Sequence, residues 1–304
     1  MHNSSFTIMV DTSFDLPQEF MDKHGILTIP IPFNLDGVQH SGGRWQEISD
    51  QEFYKALRDG SVAGTALINP EAFVGVFTEY AKRGESLLVL LLSNGLSGTY
   101  QNSVIALDEV KEKYPDCNIF TVDSFNAAGG VGLITTLAVK KRAEGQSLAD
   151  TARWLREKCH GCFSLFTVDD LMYLHRGGRL SKLQAVAGSI IGIKPLLNIA
   201  PDGTLKLKDK VRGRKAALEA LVGQMKRSLD AGTKLDTVVI SHSNCIADAE
   251  ALAGIVKSSV SVREVIIVMM GPVIGAHVGP GTLALFFEAD MTRPEYEGKF
   301  YSSK

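Results

Sequence analysis

Residues 87–110 read LLVLLLSNGLSGTYQNSVIALDEV, and how they are read decides the fold. From Leu87 to Leu92 no side chain is polar, as in a strand buried on both faces. The run stops at Ser93-Asn94-Gly95-Leu96-Ser97-Gly98-Thr99, and from Tyr100 the apolar spacing becomes helical. A buried strand, a short glycine-rich loop and a helix open a β-α-β unit, so the fold class is α/β. At the carboxyl end of a parallel strand, the next helix turns its free N–H groups and positive dipole end toward the crevice. Ser97 and Thr99 add hydroxyls there, and Gly95 and Gly98 let a ligand approach the backbone. A carboxylate or phosphate would sit well in such a loop. The same residues also fit a simpler role, in which Ser97 or Thr99 only caps the helix.

Outward from this unit the alternation continues. Strands are predicted at 7–10, 26–33, 119–122, 163–168, 237–241, 265–270 and 283–287. Helices are predicted at 70–82, 100–113, 148–158, 215–229 and 247–257, and Ser49 with Glu52 forms a capping box ahead of another. This order argues for parallel sheets covered by helices. A charged helix ending in KCHGC just before the strand at 163 suggests two α/β domains, 1–160 and 161–304, packed closely with ligand room at their junction.

Composition narrows the function. The chain has 304 residues, 45% hydrophobic and 22% charged, and a net charge of −2 gives it no general attraction to nucleic acid or anionic lipid. Four cysteines in such a length do not make a disulfide scaffold. The opening MHNSSFTIMVDTS lacks a basic leader and no run reaches transmembrane length, so the expectation is a cytoplasmic protein with reduced thiols. There is no GxxxxGK[ST], NAAGGVGLI misses the GxGxxG spacing, and Ser97 sits in GLSG rather than GxSxG. A nucleotide pocket is not expected.

Other residues invite chemistry, each with a plainer alternative. Thr65 lies in VAGTALINPEAF, just before a helix, and is otherwise an ordinary loop threonine. His277 stands among glycines and prolines in MMGPVIGAHVGPGTLALFF, in a rigid loop that would fix its side chain for a ligand or for a structural hydrogen bond. Arg176, Arg179 and Lys182 flank Gly177-Gly178, and the apolar residues beyond, including Leu183, Val186, Ile190 and Ile191, fit either a core or a ligand lining. Lys206, Lys208, Lys210, Arg212 and Arg214 recur with period two, which puts them on one face of a strand with Leu205, Leu207 and Val211 on the other. That face is either a lysine-protected edge or a docking surface for an acidic partner. Cys159 and Cys162 form a CxxC, but it follows a helix rather than opening one, and no second pair completes a metal site.

Taken in order, several motifs resemble the DegV family, the bacterial fatty-acid-binding proteins that serve as subunits of fatty acid kinase. They are Asp11-Thr12-Ser13; Thr65 ahead of Pro70-Glu71-Ala72-Phe73; Leu96-Ser97-Gly98-Thr99-Tyr100; Asp123-Ser124; Asp170-Leu171; Gly177-Gly178-Arg179; Ile193-Lys194-Pro195; and Gly271-Pro272 through His277-Val278-Gly279-Pro280-Gly281. The resemblance covers nearly the whole chain. It implies an N-terminal domain with a three-layer parallel sheet and a C-terminal domain with a mixed sheet and helices. It also implies a long-chain fatty acid buried between them, with Leu183, Val186, Ile190 and Ile191 along the acyl chain. Thr65, Ser97 and Gly98 would hold the carboxylate, with His277 beside them. A separate ATP-binding kinase subunit would phosphorylate that carboxylate for phospholipid synthesis, docking at Arg179 and Arg212. No cofactor, metal, nucleic acid or membrane insertion is implied, beyond transient contact with a membrane surface, and no catalysis by this chain alone. The chain departs from the family at Ala66-Leu67-Ile68, where Ser-Gln-Pro is usual.

The physics agrees. Burying a sixteen-carbon tail at about 0.8 kcal/mol per methylene gives roughly 12 kcal/mol gross, so hydroxyls and backbone N–H groups suffice for the head group. Two rivals remain on the residues alone. One is a serine hydrolase using Ser97 and His277 with Asp11 or Asp123. The other is a redox module of Cys159 and Cys162.

Overall fold

The computed structural model describes residues 6–41, 47–182 and 192–300. The chain opens with β1 (Thr7–Asp11), α1 (Gln18–His24) and β2 (Ile26–Ile29). The single strand predicted at 26–33 stops at Ile29 because Pro30 and Pro32 remove two ladder donors. It resumes as β3 (Phe33–Leu35), which pairs antiparallel with β4 (Val38–His40) and, after α2 (Asp50–Arg58), with β5 (Ala63–Thr65). The capping box holds α2: the Glu52 N–H donates to Ser49 Oγ at 3.2 Å, and the Ser49 N–H to Glu52 Oε2 at 3.0 Å.

Then come α3 (Pro70–Arg83), β6 (Leu87–Leu91), α4 (Thr99–Lys113), β7 (Ile119–Asp123), α5 (Gly129–Ala143) and α6 (Leu148–Lys158). Strands β2-β1-β6-β7 form one all-parallel sheet, and all five residues of β6 are buried, as its apolar run requires.

The second sheet has the order β10-β9-β8-β13-β11-β12. It uses β8 (Cys162–Thr167), β9 (Ile193–Ile199), β10 (Leu205–Arg212), β11 (Lys234–His242), β12 (Ser261–Met269) and β13 (Leu283–Glu288). Only β11 and β12 run parallel, so this sheet is mixed. Its helices are α7 (Met172–Arg176), α8 (Arg214–Arg227), α9 (Ile246–Ser259), α10 (Pro272–Val278) and α11 (Arg293–Phe300). Among the described residues no helix is long and apolar enough to cross a membrane.

Further local outcomes differ from the sequence reading. Helix α5 was not predicted, since GGVGLITT is rich in glycine and β-branched residues. Tertiary contact overrides that propensity: α5 packs against strands of both sheets, and a Cβ on Gly129 would lie 2.6 Å from Ser241 Oγ and 2.8 Å from Phe286. His277 lies on helix α10, not in a loop, because Pro272 starts a turn that Gly279 closes at φ 72°.

The basic residues of β10 do not share one face. The register slips between Leu207 and Asp209, leaving Lys208 as an extra residue in a β-bulge. Lys206 is opposite Asn198, whereas Lys210 and Arg212 are opposite Pro195 and Ile193, so they share the face of Leu205 and Leu207. Arg214 has left the strand for α8, where it pairs with Asp248 at 2.9 Å.

The larger core cluster runs through both sheets, from Leu90 and Val122 to Phe166, Val239 and Phe286. A second lies on the far face of the mixed sheet, where Leu221 and Leu252 meet Phe163 and Phe287.

Candidate functional site

Thr65 is the last residue of β5, held opposite Phe33, and α10 packs against β5. This contact joins residues 212 positions apart: Thr65 Oγ1 and His277 Nε2 lie 2.8 Å from each other. Burial, and then the charge of Arg179, push the His277 pKa down to about 4, so the imidazole is neutral at pH 7. Its Nδ1 is buried with no hydrogen-bond partner among the described residues. It faces Gly177 so closely that a Cβ there would overlap it.

Ser97 stands in a tight turn whose N–H groups, at Leu96 and Ser97, donate to Ser93 O. Its Oγ lies 3.0 Å from Thr99 Oγ1 and 3.3 Å from the Thr99 N–H. Gly98, rather than Ser97, is the N-cap of α4 and makes no side-chain cap. Two buried carboxylates hold this loop from behind. Asp11 accepts from the Leu92 N–H at 2.6 Å and the Ser13 N–H at 2.8 Å, and Asp123 accepts from Asn94 and Phe125 N–H groups. Desolvation raises both carboxyl pKa values, opposed by those hydrogen bonds.

Arg179 follows α7 and crosses to the same loop. Its Nε donates to Leu96 O at 3.0 Å, and its guanidinium also reaches Gly177 O. Arg179 is therefore half-buried in a wall, not spread on open surface.

Thr65, Ser97, Arg179 and His277 all line one cavity. Its other walls are mostly apolar and come from the mixed sheet and from loops beyond the parallel strands: Leu92, Leu96, Ala128, Phe166, Ile199 and Phe286 among them. The space, with its mouth, is about 750 Å³. Two further hydroxyls on the wall already have protein partners: Ser164 donates to Asn126 Oδ1 and Thr282 to Val278 O at 2.9 Å. In the departing loop, Ala66 is on the cavity wall, Leu67 stands 3.6 Å from where a Gly98 Cβ would be, and Ile68 is buried.

Ala128 sits on this wall at φ 54° and ψ −134°, a conformation costly for a residue with a side chain. Its N–H donates to Ser13 O and its C=O accepts from Asp15 N–H.

The sequence residues thus separate. Thr65 and His277 touch, Ser97 lines the same cavity, and Gly98 adjoins Ser97 in the chain. Leu183, Val186, Ile190 and Ile191 lie outside the described residues. Arg212 is exposed on β10, away from these walls. Walls such as Phe166 and Phe286 were missed, because alternation marks a strand's inner face without saying whether that face meets a neighbour or a cavity.

The hydrolase constellation is not assembled. The His277 Nε2 contact is with Thr65, the Ser97 hydroxyl contacts Thr99, and Asp11 and Asp123 are engaged with backbone N–H groups. Cys159 and Cys162 are buried and free; burial pushes the Cys162 thiol up to about 12 and Cys159 well above its ordinary value. Neither has the thiolate character that redox exchange needs. Among the described residues no group of three His, Cys, Asp or Glu side chains could hold a metal ion.

Residues 5–290 match the family described as "Uncharacterised protein, DegV family". A DegV domain-containing protein of Clostridium perfringens is 37% identical over 95% of this chain and 99% of its own length. One from Streptococcus pyogenes is 39% identical over 95% and 100%. A DegV lipid-binding protein of Thermotoga maritima superposes with a TM-score of 0.83 at 32% identity, covering 95% of this chain and all of that one. A second Thermotoga maritima protein, described as revealing fatty acid binding function, has a TM-score of 0.82 at 32% identity, over 94% and 99%. This chain belongs to the DegV family.

Proposed function

We propose that this protein carries a long-chain fatty acid and presents its carboxylate to a separate ATP-dependent kinase subunit. The observation that supports this most directly is an apolar cavity with the uncharged donors Thr65, Ser97 and neutral His277 on its wall. The fatty acid binding described for the Thermotoga maritima relative points the same way. In this reading residues 1–160 form the unit that supplies Thr65 and Ser97. Residues 161–304 form the unit that supplies His277, encloses most of the acyl chain and carries Arg212, and the protein works in the cytoplasm.

Chemically, a carboxylate is already a nucleophile at neutral pH, so no general base is needed. One of its oxygens would attack the γ-phosphorus of ATP held by the partner. The new O–P bond forms as the bond from that phosphorus to ADP breaks, and acyl-phosphate and ADP result. Hydroxyl donors suit this step better than a bidentate guanidinium, which would cover both attacking oxygens. Arg179 is engaged with two backbone carbonyls.

Denaturing mass spectrometry of protein purified from bacteria should release a long-chain fatty acid, and Ser97→Ala should weaken its rebinding about tenfold, the scale of one hydrogen bond to a charged group. No acyl chain and no binding on titration would overturn the reading.

A further inference from the structure

Thr65, Arg179 and His277 have a second side. Beyond them lies another cleft, about 650 Å³ with its mouth, also lined by Gly64, Tyr173, Arg176 and Gly177. Its charge has one sign: Arg176 and Arg179 are on its walls, and no carboxylate is. A larger groove is different, about 1730 Å³ between α5, α6 and the β11–β12 edge. There Lys140 and Arg263 meet Asp236 at 2.7 and 3.5 Å, and Lys158 meets Glu288 at 2.6 Å, so its charges are matched internally.

Arg176 is exposed, with its guanidinium carbon 4.4 Å from the centre of the Tyr173 ring. It makes no hydrogen bond or ion pair among the described residues. A guanidinium resting on a ring keeps its in-plane N–H fork for an anion, and that fork matches phosphate oxygens.

The geometry points to this cleft as the seat of the phosphoryl group of a long-chain acyl-phosphate, with Arg176 as a ligand that the bound fatty acid does not use. The inference rests on the carrier reading above. The acyl chain stays in the apolar cavity, and the carbonyl end lies at the shared wall of Thr65 and His277. The phosphoryl dianion then meets Arg176, with Arg179 behind it. A fatty acid, with one charge and no atoms past its carboxylate, gains nothing from Arg176. The cleft thereby favours product over substrate and holds a hydrolysable anhydride against the protein.

The test needs no kinase. Palmitate, a non-hydrolysable palmitoyl phosphonate and inorganic phosphate are titrated into delipidated wild type and Arg176→Ala. The wild type should bind the phosphonate at least as tightly as palmitate. Arg176→Ala should weaken the phosphonate about tenfold, the scale of one charge-assisted contact, while palmitate changes less than about twofold. Retained palmitate binding also shows that the variant is folded. Equal loss of both ligands, or phosphonate affinity unchanged in the variant, overturns the inference. So does wild type that binds palmitate but not the phosphonate, with the carrier reading intact. Inorganic phosphate bound alone as tightly as the phosphonate assigns the cleft to a free anion and also overturns it. Failure to bind palmitate at all overturns the carrier reading itself.

Discussion

His277 is kept neutral by its surroundings, and this has a measurable consequence for folding. Its pKa is about 4 in the folded protein against an ordinary 6.5. Above about pH 6.5 both states hold it neutral, and its contribution to stability is fully present. As pH falls from 6.5 toward 4, the unfolded chain takes up a proton that the folded one refuses, and about 3 kcal/mol of stability is lost. Urea titration of delipidated protein across this window should show the loss, and His277→Gln should remove most of it. A variant with the same pH slope would mean that another group titrates. His277 and Ser97 could be picked out from sequence because glycine and hydroxyl residues crowd around them. Their partners could not. The Thr65–His277 contact spans 212 positions and the bond from Arg179 to Leu96 spans 83, distances at which no local pattern survives.

Helix α5 and strand β10 show where periodicity succeeds and fails. The strand at 87–91 was legible because a run buried on both faces has no polar residue to hide. Helix α5 was not, because its glycines answer to the sheets rather than to helix propensity. Gly129→Ala places a methyl group 2.6 Å from Ser241 Oγ and Val239 and should lower stability by about 3 kcal/mol in urea unfolding, the upper part of the range for overpacking. A change below about 1 kcal/mol would show that this contact relaxes easily. In β10 the alternation of lysines was real, but a bulge has no signature in spacing, and after Lys208 it turns Lys210 and Arg212 to the opposite face. Arg212 therefore shares the side of the sheet that carries Leu205, a cavity residue, while staying exposed. If a kinase subunit docks there, Arg212→Glu should cut acyl-phosphate formation about tenfold, the loss expected for a close charge pair, and leave fatty acid affinity unchanged. Equal loss of both would give Arg212 a structural role. The coupled assay with isotopically labelled ATP, beside direct titration, separates the two.

Because the cavity is walled by the mixed sheet and by loops beyond the parallel strands, a bound ligand would link to folding across both parts of the chain. A ligand bound only by the native state at a hundred times its dissociation constant adds about 2.7 kcal/mol. For a protein of this size that is an upward shift of several degrees in melting temperature, which scanning calorimetry of delipidated protein with and without palmitate should record. No shift at saturating palmitate would argue against a buried tail. The overall α/β plan could be read early, since strand and helix patterns alternate and the core needs both. The division of strands between a parallel and a mixed sheet followed from resemblance, because direction is not written in any single strand.

Helix α5 is wedged between the sheets, with Gly129 against Ser241 and Phe286. Prising the halves apart like a clamshell would drag that wedge out of its slot and flood the shared interior with solvent. A carried fatty acid would therefore come and go by modest yielding at the rim, as a letter passes through a slit in a door that stays shut.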